Sequence, residues 1–395
     1  MICIKVRNLY EYGGYGIKQL SYNFIHYSIL GMTMRQLNVL IRFSLILACS
    51  ISSAWSEELR ILCWEGYATD QYTKKFELYI KQKYQLDLKL SVTNVSDPQE
   101  FFDGIRGKNF DLISPAHNIP KSAHWAFIEQ KLVLPINLAN VPNYQHIIPA
   151  LKKADYVTKD GLVYGVPIVY GHYGLAYNTE IIKEEPESWD IFWDPKYADK
   201  YAISADYHEA NIYITALAMG YKKSEIFEFS VLRDSEEFKQ RLAQLASNAK
   251  LYWVGVDKAE DMKDLALATA WGFSFSELNK AGEKWKFASP KEGVAGWVDN
   301  WLIGYSLQNQ PTLKRIAEEW INYSIGPDMQ VAYVRDIRQF PVNLTIKNLL
   351  TFNDVEKFGL NNPNYFQENF IPWKILSKDD QYGFEVLWGQ AKQSR

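Results

Sequence analysis

The sequence predicts an α/β protein with two lobes and a ligand cleft between them. Strand-like and amphipathic segments alternate from residue 58 onward, which is typical of sheets covered by helices. The chain has 395 residues, of which 47% are hydrophobic, and this is enough for two packed cores rather than one. Two extended segments punctuated by glycine, 164–179 and 293–304, suit crossings of the chain from one lobe to the other.

We expect residues 1–33 to be an upstream extension attached to the wrong start and residues 34–56 to be a signal peptide, so that residues 1–56 are absent from the mature chain. Met34 is a better start of translation than Met1, because a basic region follows it and leads into the apolar stretch Phe43–Cys49. Ala54 and Ser56 fit a signal-peptide cleavage site after that stretch. The apolar stretch is too short to span a bilayer. A transmembrane anchor and a lipid anchor at Cys49 are the alternatives. We therefore expect export to the periplasm.

Charge and cysteine content restrict the partners of the mature chain. The leader takes five basic residues and one acid with it, so the net charge falls from −3 to about −7, which disfavours nucleic acid and favours cationic partners. Cys63 is then the remaining cysteine, so we expect neither a disulfide framework nor a cysteine metal site. The 13 Trp and 26 Tyr suit large cores and also recognition surfaces.

The predicted elements of the first lobe place chemically useful side chains at strand ends. Trp64, Tyr67 and His117 lie at or just past the end of a predicted strand, where ligands of such sheets gather. Since strands and helices alternate, we expect a parallel sheet with helices on both faces. The segments are strands at 59–64, 86–93 and 109–114 and helices at 70–84 and 98–106.

The second lobe is predicted to begin after the first crossing. The segment "SWDIFWDPKYADKYAIS" forms a helical turn packed on the lobe, and a helix begins near Asp206. Further helices are predicted at 261–282 and 310–330. The resulting assignment gives residues 57–168 and 297–345 to the first lobe and residues 169–296 and 346–395 to the second.

Asp299 stands out in the second crossing, "GVAGWVDNWLIG". It lies two residues after Trp297 and two before Trp301, in a run that is otherwise small or apolar. A carboxylate there is costly to bury without a partner. Either Asp299 faces water at a strand end, or a cation comes to meet it.

Six segments of the chain occur in the order seen in periplasmic polyamine-binding proteins. The chain resembles the spermidine/putrescine-binding family over residues 58–395, which implies a two-lobed solute-binding clamshell of type II. The resemblance implies a polyamine ligand, no cofactor, no metal and no enzymatic activity. The segments are "CWEGY", "FDLISP", "YGVPIVYGHYGLAYN", "SWDIFWDPKYADKYAIS", "ATAWGFS" and "PKEGVAGWVDNWLI".

The resemblance carries ligand-binding roles to individual residues. It implies an aromatic pair after the first strand, two acids at a helix start in the second lobe, and a tryptophan wall. It also implies an aromatic residue and an acid on the second crossing, with the acid facing the central amine of the ligand. These residues are Trp64, Tyr67, Asp206, Glu209, Trp271, Trp297 and Asp299. Carboxylates at intervals with flat apolar walls between them are what a chain of ammonium groups needs.

The chain departs from the family pattern at one end of the expected cleft. Ala116, His117 and Asn118 stand where the family has a hydroxyl-rich stretch, and Tyr170 stands where tryptophan is common. Lys374 occupies a position where a neutral amide is expected. We include His117 and Tyr170 among the ligand-binding residues and expect a shifted preference, toward norspermidine.

Each of these residues also has an ordinary structural interpretation. Tryptophans commonly pack in hydrophobic cores. Asp206 is a suitable N-cap for the helix predicted to begin near it, and Glu209 is suitably placed to complete a capping box with Asp206. Asp206, His208 and Glu209 could indicate a metal, but no further clustered ligand supports one. Asp299 has the weakest structural interpretation because its neighbours are apolar.

Overall similarity to the norspermidine-sensing branch favours a particular partner. We expect a monomer that closes on norspermidine or spermidine and signals to a membrane-bound cyclic-di-GMP enzyme of the GGDEF/EAL type, which controls biofilm formation. The alternatives are the binding subunit of a polyamine ABC importer, with a permease as partner, and a receptor for another solute such as a sugar. No nucleophile elbow, zinc-protease motif or P-loop supports an enzyme.

Overall fold

The computed structural model describes residues 57–280 and 284–393, and their strands form two main β-sheets and one short hairpin. The predicted leader, with its start at Met34 and the alternative lipid anchor at Cys49, lies outside the described residues. The fifteen strands of the described part are β1 Glu57–Cys63, β2 Leu88–Asn94, β3 Leu112–Ile113, β4 Val133–Leu134, β5 Thr158–Lys159, β6 Leu162–Val163, β7 Gly165–His172, β8 Gly174–Asn178, β9 Tyr201–Ser204, β10 Leu251–Trp253, β11 Leu267–Ala270, β12 Trp285–Phe287, β13 Ala295–Gly304, β14 Phe340–Pro341 and β15 Ile371–Pro372.

The α-helices of the described part vary widely in length. None of them is both long enough and apolar enough to cross a membrane. Short 3-10 turns occur between them, including Trp189–Trp193 within the segment that was predicted to form a helical turn. The helices are α1 Asp70–Tyr84, α2 Gln99–Arg106, α3 His208–Ala218, α4 Phe229–Leu232, α5 Glu236–Asn248, α6 Ala259–Met262, α7 Phe275–Lys280, α8 Pro311–Ser324, α9 Pro327–Ala332, α10 Phe352–Lys357, α11 Tyr365–Asn369 and α12 Lys378–Gln393.

The first sheet combines parallel and antiparallel strands. Its order is β14-β7-β13-β3-β1-β2, and β4 and β15 also pair with β13. Strand β1 is parallel to β2 and β3, as predicted, but β13 is antiparallel to both β3 and β7. The expectation of a parallel sheet therefore holds for β1, β2 and β3 but not for the whole sheet, because the long crossing strand β13 returns from the second sheet and enters from the opposite end.

The second sheet has the order β10-β9-β11-β8-β12. Its strand β11 occupies residues that we predicted to be helical, within 261–282. The sequence "LATA" has good helix formers, but here it lies fully buried between β8 and β9. Pairing on both edges overrides the local helix preference. The prediction at 310–330 was closer, since helices α8 and α9 cover it with a break at Gly326.

Three segments connect the two sheets. Strand β7 ends in the first sheet and Tyr173 leads directly into β8 of the second. Strand β13 comes back from β12, and the chain after β15 leads into α12, which packs on α3 and α5 beside the second sheet. The predicted lobe boundaries remain a prediction, but β7 continues on the first sheet as far as His172, four residues past position 168.

Tyr173 fixes the first crossing by hydrogen bonds to the second sheet and its helix. Its hydroxyl donates to Asn211 Oδ1 at 2.6 Å and accepts from Ser204 N at 3.1 Å and from Thr269 Oγ1 at 2.6 Å. All four residues are buried. Because every one of these polar groups has a partner, Tyr173 is anchored to the second sheet without an unsatisfied hydroxyl.

Candidate functional site

A tight turn after β1 carries Trp64 and Tyr67 into a buried aromatic cluster. Gly66 has φ +94°, and a Cβ there would lie 2.8 Å from Ile337 Cγ2, so glycine is required for both reasons. Trp64 packs edge-on against Phe101, with ring centroids 5.4 Å apart. The turn therefore fixes the direction in which both aromatic side chains leave the sheet.

Asp299 lies on β13 and is buried against this turn. The Tyr67 hydroxyl donates to Asp299 Oδ2 at 2.6 Å, and only 3% of Asp299 is exposed. Within residues 57–280 and 284–393, no lysine, arginine or histidine forms an ion pair with it. Burial raises the pKa of Asp299 well above its ordinary value, and the bond from Tyr67 opposes this shift only in part. Burial therefore disfavours the ionised form of this carboxyl in the absence of a cation.

Trp297 of β13 lies opposite Gly171 of β7. These two residues face each other in the β7–β13 pairing, and a Cβ on Gly171 would approach Trp297 Cζ2 to 2.7 Å. The indole N–H of Trp297 is buried and has no hydrogen-bond partner among the described residues. Because glycine has no side chain, Gly171 leaves room for the ring of Trp297.

Trp271 follows β11 and is held by a buried acid. Asp257 accepts from Trp271 N at 2.7 Å and from Ser274 Oγ at 2.6 Å, and the Trp271 indole donates to Gly255 O at 3.2 Å. Burial raises the pKa of Asp257 although its hydrogen bonds oppose the shift. The ring of Trp271 lies edge-on to Trp297 at 6.1 Å. Asp257 thus positions the wall on the second sheet's side.

These side chains line a narrow cavity that is partly open to solvent. Seven of its lining residues are aromatic, and Asp299 is the charged residue among them. The structure thus brings together five of the nine predicted ligand-binding residues. The complete lining is Trp64, Tyr67, Ala116, Tyr207, Gly255, Val256, Trp271, Phe273, Trp297, Asp299 and Trp373.

Three aromatic walls of this cavity were not predicted. Tyr207 contacts Trp271 with ring centroids 5.0 Å apart and Trp373 with centroids 5.7 Å apart, and Phe273 contacts Tyr67 at 6.3 Å. Tyr207 and Trp373 adjoin residues that were singled out from the sequence, and Phe273 lies two positions after Trp271. Proximity to these positions was the available signal, but the sequence pattern did not distinguish the three from their neighbours.

Asp206 and Glu209 line a second, larger cavity, which shares Tyr207 and Trp373 with the first. Asp206 does not cap α3, which begins at His208; it accepts from Gly255 N at 2.6 Å instead. Burial is the main cause that raises the pKa of Asp206, and nearby acids add to it. The acids that line this cavity are Asp97, Asp206, Glu209 and Glu385, and its lysine is Lys378.

His117 lies outside the lining of both cavities and connects two elements of the site. Its Nδ1 accepts from Val298 N at 3.2 Å, so its Nε2 carries the proton and donates to Trp373 O at 2.9 Å. Burial lowers the pKa of His117 to about 4, which keeps the ring neutral. The imidazole thereby holds Trp373 beside the strand that carries Trp297 and Asp299.

Tyr170 and Lys374 also lie away from both cavity linings. Tyr170 is buried on β7 against Phe366 and Phe370, at centroid distances of 5.1 and 5.0 Å. Lys374 bonds to Ser224 O at 3.1 Å and pairs with Glu228 at 3.3 Å. The departures from the family pattern at these two positions therefore do not line the space around Asp299.

The Asp299→Asn change is expected to leave the ligand-free protein as stable as before, or more stable by about 1 kcal/mol at neutral pH. The folded state holds the proton of Asp299 above its ordinary pKa of 3.8. The free energy of unfolding therefore falls as pH rises from that value through the raised pKa, and asparagine abolishes this part of the fall. Urea denaturation across the pH range measures it, with the exposed Asp155→Asn as control. A less stable variant at neutral pH would contradict the account.

Comparison with known proteins places the fold in a family. The Salmonella typhimurium spermidine/putrescine-binding periplasmic protein is 22% identical over 250 residues, which are 61% of this chain and 66% of that protein. The Pseudomonas aeruginosa putrescine-binding periplasmic protein SpuD is 22% identical over 311 residues, or 73% of this chain and 79% of that protein.

A solved structure shows the same architecture. A protein assigned to a spermidine/putrescine ABC transporter of Listeria monocytogenes superposes with a TM-score of 0.70 at 19% identity, covering 86% of this chain and 100% of that one. This likeness confirms the predicted α/β fold of the two-lobed solute-binding type. A sequence profile matches residues 108–376. The chain belongs to the family of bacterial extracellular solute-binding proteins.

Proposed function

We propose that this protein is a periplasmic receptor for a polyamine. The observation that carries the proposal is Asp299, a buried carboxyl without a cationic partner among the described residues, in a cavity walled by seven aromatic rings. An ammonium group would supply the missing charge and allow the carboxyl to ionise. The relatives whose names specify spermidine or putrescine support the same ligand class.

The aromatic walls suit the rest of such a ligand. A polyamine has methylene segments between its ammonium groups, and the face of a tryptophan accepts both. Each cation–π contact contributes about 0.5–2 kcal/mol. A sugar would also suit aromatic walls, but a sugar does not require a buried acid. The acid therefore distinguishes the two ligand classes.

The second cavity provides partners for a further ammonium group. It adjoins the first through Tyr207 and Trp373, and Asp206 and Glu209 line it. The side-chain oxygen of Asn118, which also lines it, is buried and has no partner among the described residues. An orphaned acceptor beside two carboxylates suits a donor that carries positive charge. A chain of ammonium groups that extends past the two shared rings would therefore meet acceptors in both cavities.

The preference for norspermidine is the finer part of this proposal. Ala116 lines the first cavity with a methyl group, so it offers no hydrogen bond where the resembling family has a hydroxyl-rich stretch. Contacts of the ligand with carboxylates and aromatic rings then contribute more of the binding free energy at that end of the cleft. Norspermidine has two three-carbon arms, so its affinity relative to that of spermidine measures how strongly the spacing of the ammonium groups determines which triamine is bound.

We predict that the protein without its leader binds norspermidine or spermidine with a Kd of about 1 μM or tighter, near −8 kcal/mol. The melting temperature should rise with ligand concentration because the ligand binds the folded state. Calorimetry and thermal melts measure both effects. Stabilisation by maltose, with none by any polyamine, would overturn the proposal.

The Asp299→Asn change should then lower the affinity for the triamine by about thirtyfold or more. The shape and the Tyr67 bond are retained, whereas the charge that meets the ammonium is lost. The exposed Asp155→Asn change alters the net charge equally and should leave the affinity unchanged. If Asp299→Asn bound the triamine as tightly as the wild type, Asp299 would be a structural residue.

The membrane partner is the remaining part of the proposal. We favour a cyclic-di-GMP enzyme that reads the ligand-bound form, which requires the two forms to differ in affinity for that enzyme. Deletion of the gene should then change biofilm formation and leave uptake of labelled spermidine intact. Loss of uptake in the deletion strain would instead identify the protein as the binding subunit of an importer.

A further inference from the structure

A third cavity, which is partly open to solvent, shares no lining residue with the two cavities beside Asp299. It lies where the end of β7, strand β12, strand β14 and helix α10 come together. Both sheets contribute to it, because β7 and β14 belong to the first and β12 to the second. We call it the crossing cavity.

The walls of the crossing cavity are mainly aromatic. Phe287 of β12 faces His172 at the end of β7, with ring centroids 4.7 Å apart. Phe340 stacks on Tyr365 at 6.1 Å and meets Phe370 edge-on at 5.3 Å. These rings offer flat apolar surface to an occupant.

The charges of the crossing cavity are positive. Lys286, Arg338 and Lys357 line it, and none of its described lining residues is an acid. Arg338 forms an ion pair with Asp354 at 3.1 Å, and Asp354 does not line the cavity. Neither lysine forms an ion pair with a described residue. This arrangement is the opposite of the acid-lined second cavity, and it occurs in an acidic chain.

His172 adds an unsatisfied polar atom to this cavity. Its Nδ1 is buried and has no hydrogen-bond partner among the described residues. Burial lowers the pKa of His172 to about 4, with a contribution from the charge of Lys357, so the ring is neutral at neutral pH. A buried nitrogen of this kind normally bonds to a ligand or to water.

We propose that the crossing cavity is a second ligand site, which takes a flat organic carboxylate and is independent of the polyamine site. The rings of Phe287, Phe340 and Phe370 hold the apolar body of the ligand. Lys357 binds the carboxylate, with Arg338 beside it: the two cationic groups lie 5.9 and 5.3 Å from the centroid of the Phe358 ring. A polyamine is excluded because the same cations repel it.

The probe for this site is 2-naphthoate. Neutral 2-naphthalenemethanol has the same ring system without the charge and serves as one control. Inorganic phosphate, an anion without a ring, serves as the other. Calorimetry on the wild type should show saturable binding of 2-naphthoate, tighter by about tenfold than binding of the alcohol. Phosphate should bind more weakly than 2-naphthoate, because it cannot use the aromatic walls.

Lys357→Gln should weaken 2-naphthoate binding by about tenfold. Lys250→Gln removes the same charge from an exposed position outside the cavity and should have no effect. Near-ultraviolet circular dichroism verifies that both variants are folded. The proposal is overturned if the acid and the alcohol bind equally, if phosphate binds as well as 2-naphthoate, if the two variants behave alike, or if no probe binds saturably.

Discussion

The hydrogen bond from Tyr67 to Asp299 joins residues 232 positions apart in the sequence, and the candidate site is arranged around it. The bond brings the turn after β1 against the long crossing strand β13. It satisfies one oxygen of a carboxyl whose ionised form is disfavoured by burial, and no described residue supplies a cation to that carboxyl. An ammonium group of a ligand would offset the cost of ionising the buried carboxyl, so the charge of the ligand should contribute to its binding.

Trp271 connects this acid to the second sheet. Its ring contacts Tyr173, Tyr207 and Trp373 at centroid distances of 4.8, 5.0 and 5.9 Å. Asp257 fixes its backbone, and the Gln339 amide donates to its carbonyl oxygen at 3.1 Å. Residues from both sheets thus meet at one indole, which makes the cavity depend on how the two sheets are placed.

Local pattern was sufficient for much of the fold. Helix α1 has the predicted bounds, 70–84, because its apolar residues recur at helical spacing and only one face is buried. The same approach failed at Leu267–Ala270, since neighbouring strands on both sides outweigh helix preference there. Asp299 could be singled out because its sequence neighbours are apolar. Tyr207 and Trp373 could not, because their role arises from contacts between distant segments.

Burial disfavours the ionised form of Asp299 in the free protein, and an arriving ammonium group should allow the carboxyl to ionise. Carbon-13 NMR of the aspartate carboxyls, assigned with Asp299→Asn, follows this group directly. We expect Asp299 to titrate well above the ordinary aspartate range in the free protein and to lose its proton when spermidine is added at a pH below that raised value. An Asp299 that is ionised throughout the ordinary range in the free protein, with a signal unchanged by spermidine, would show that the ligand's charge is not what this carboxyl meets.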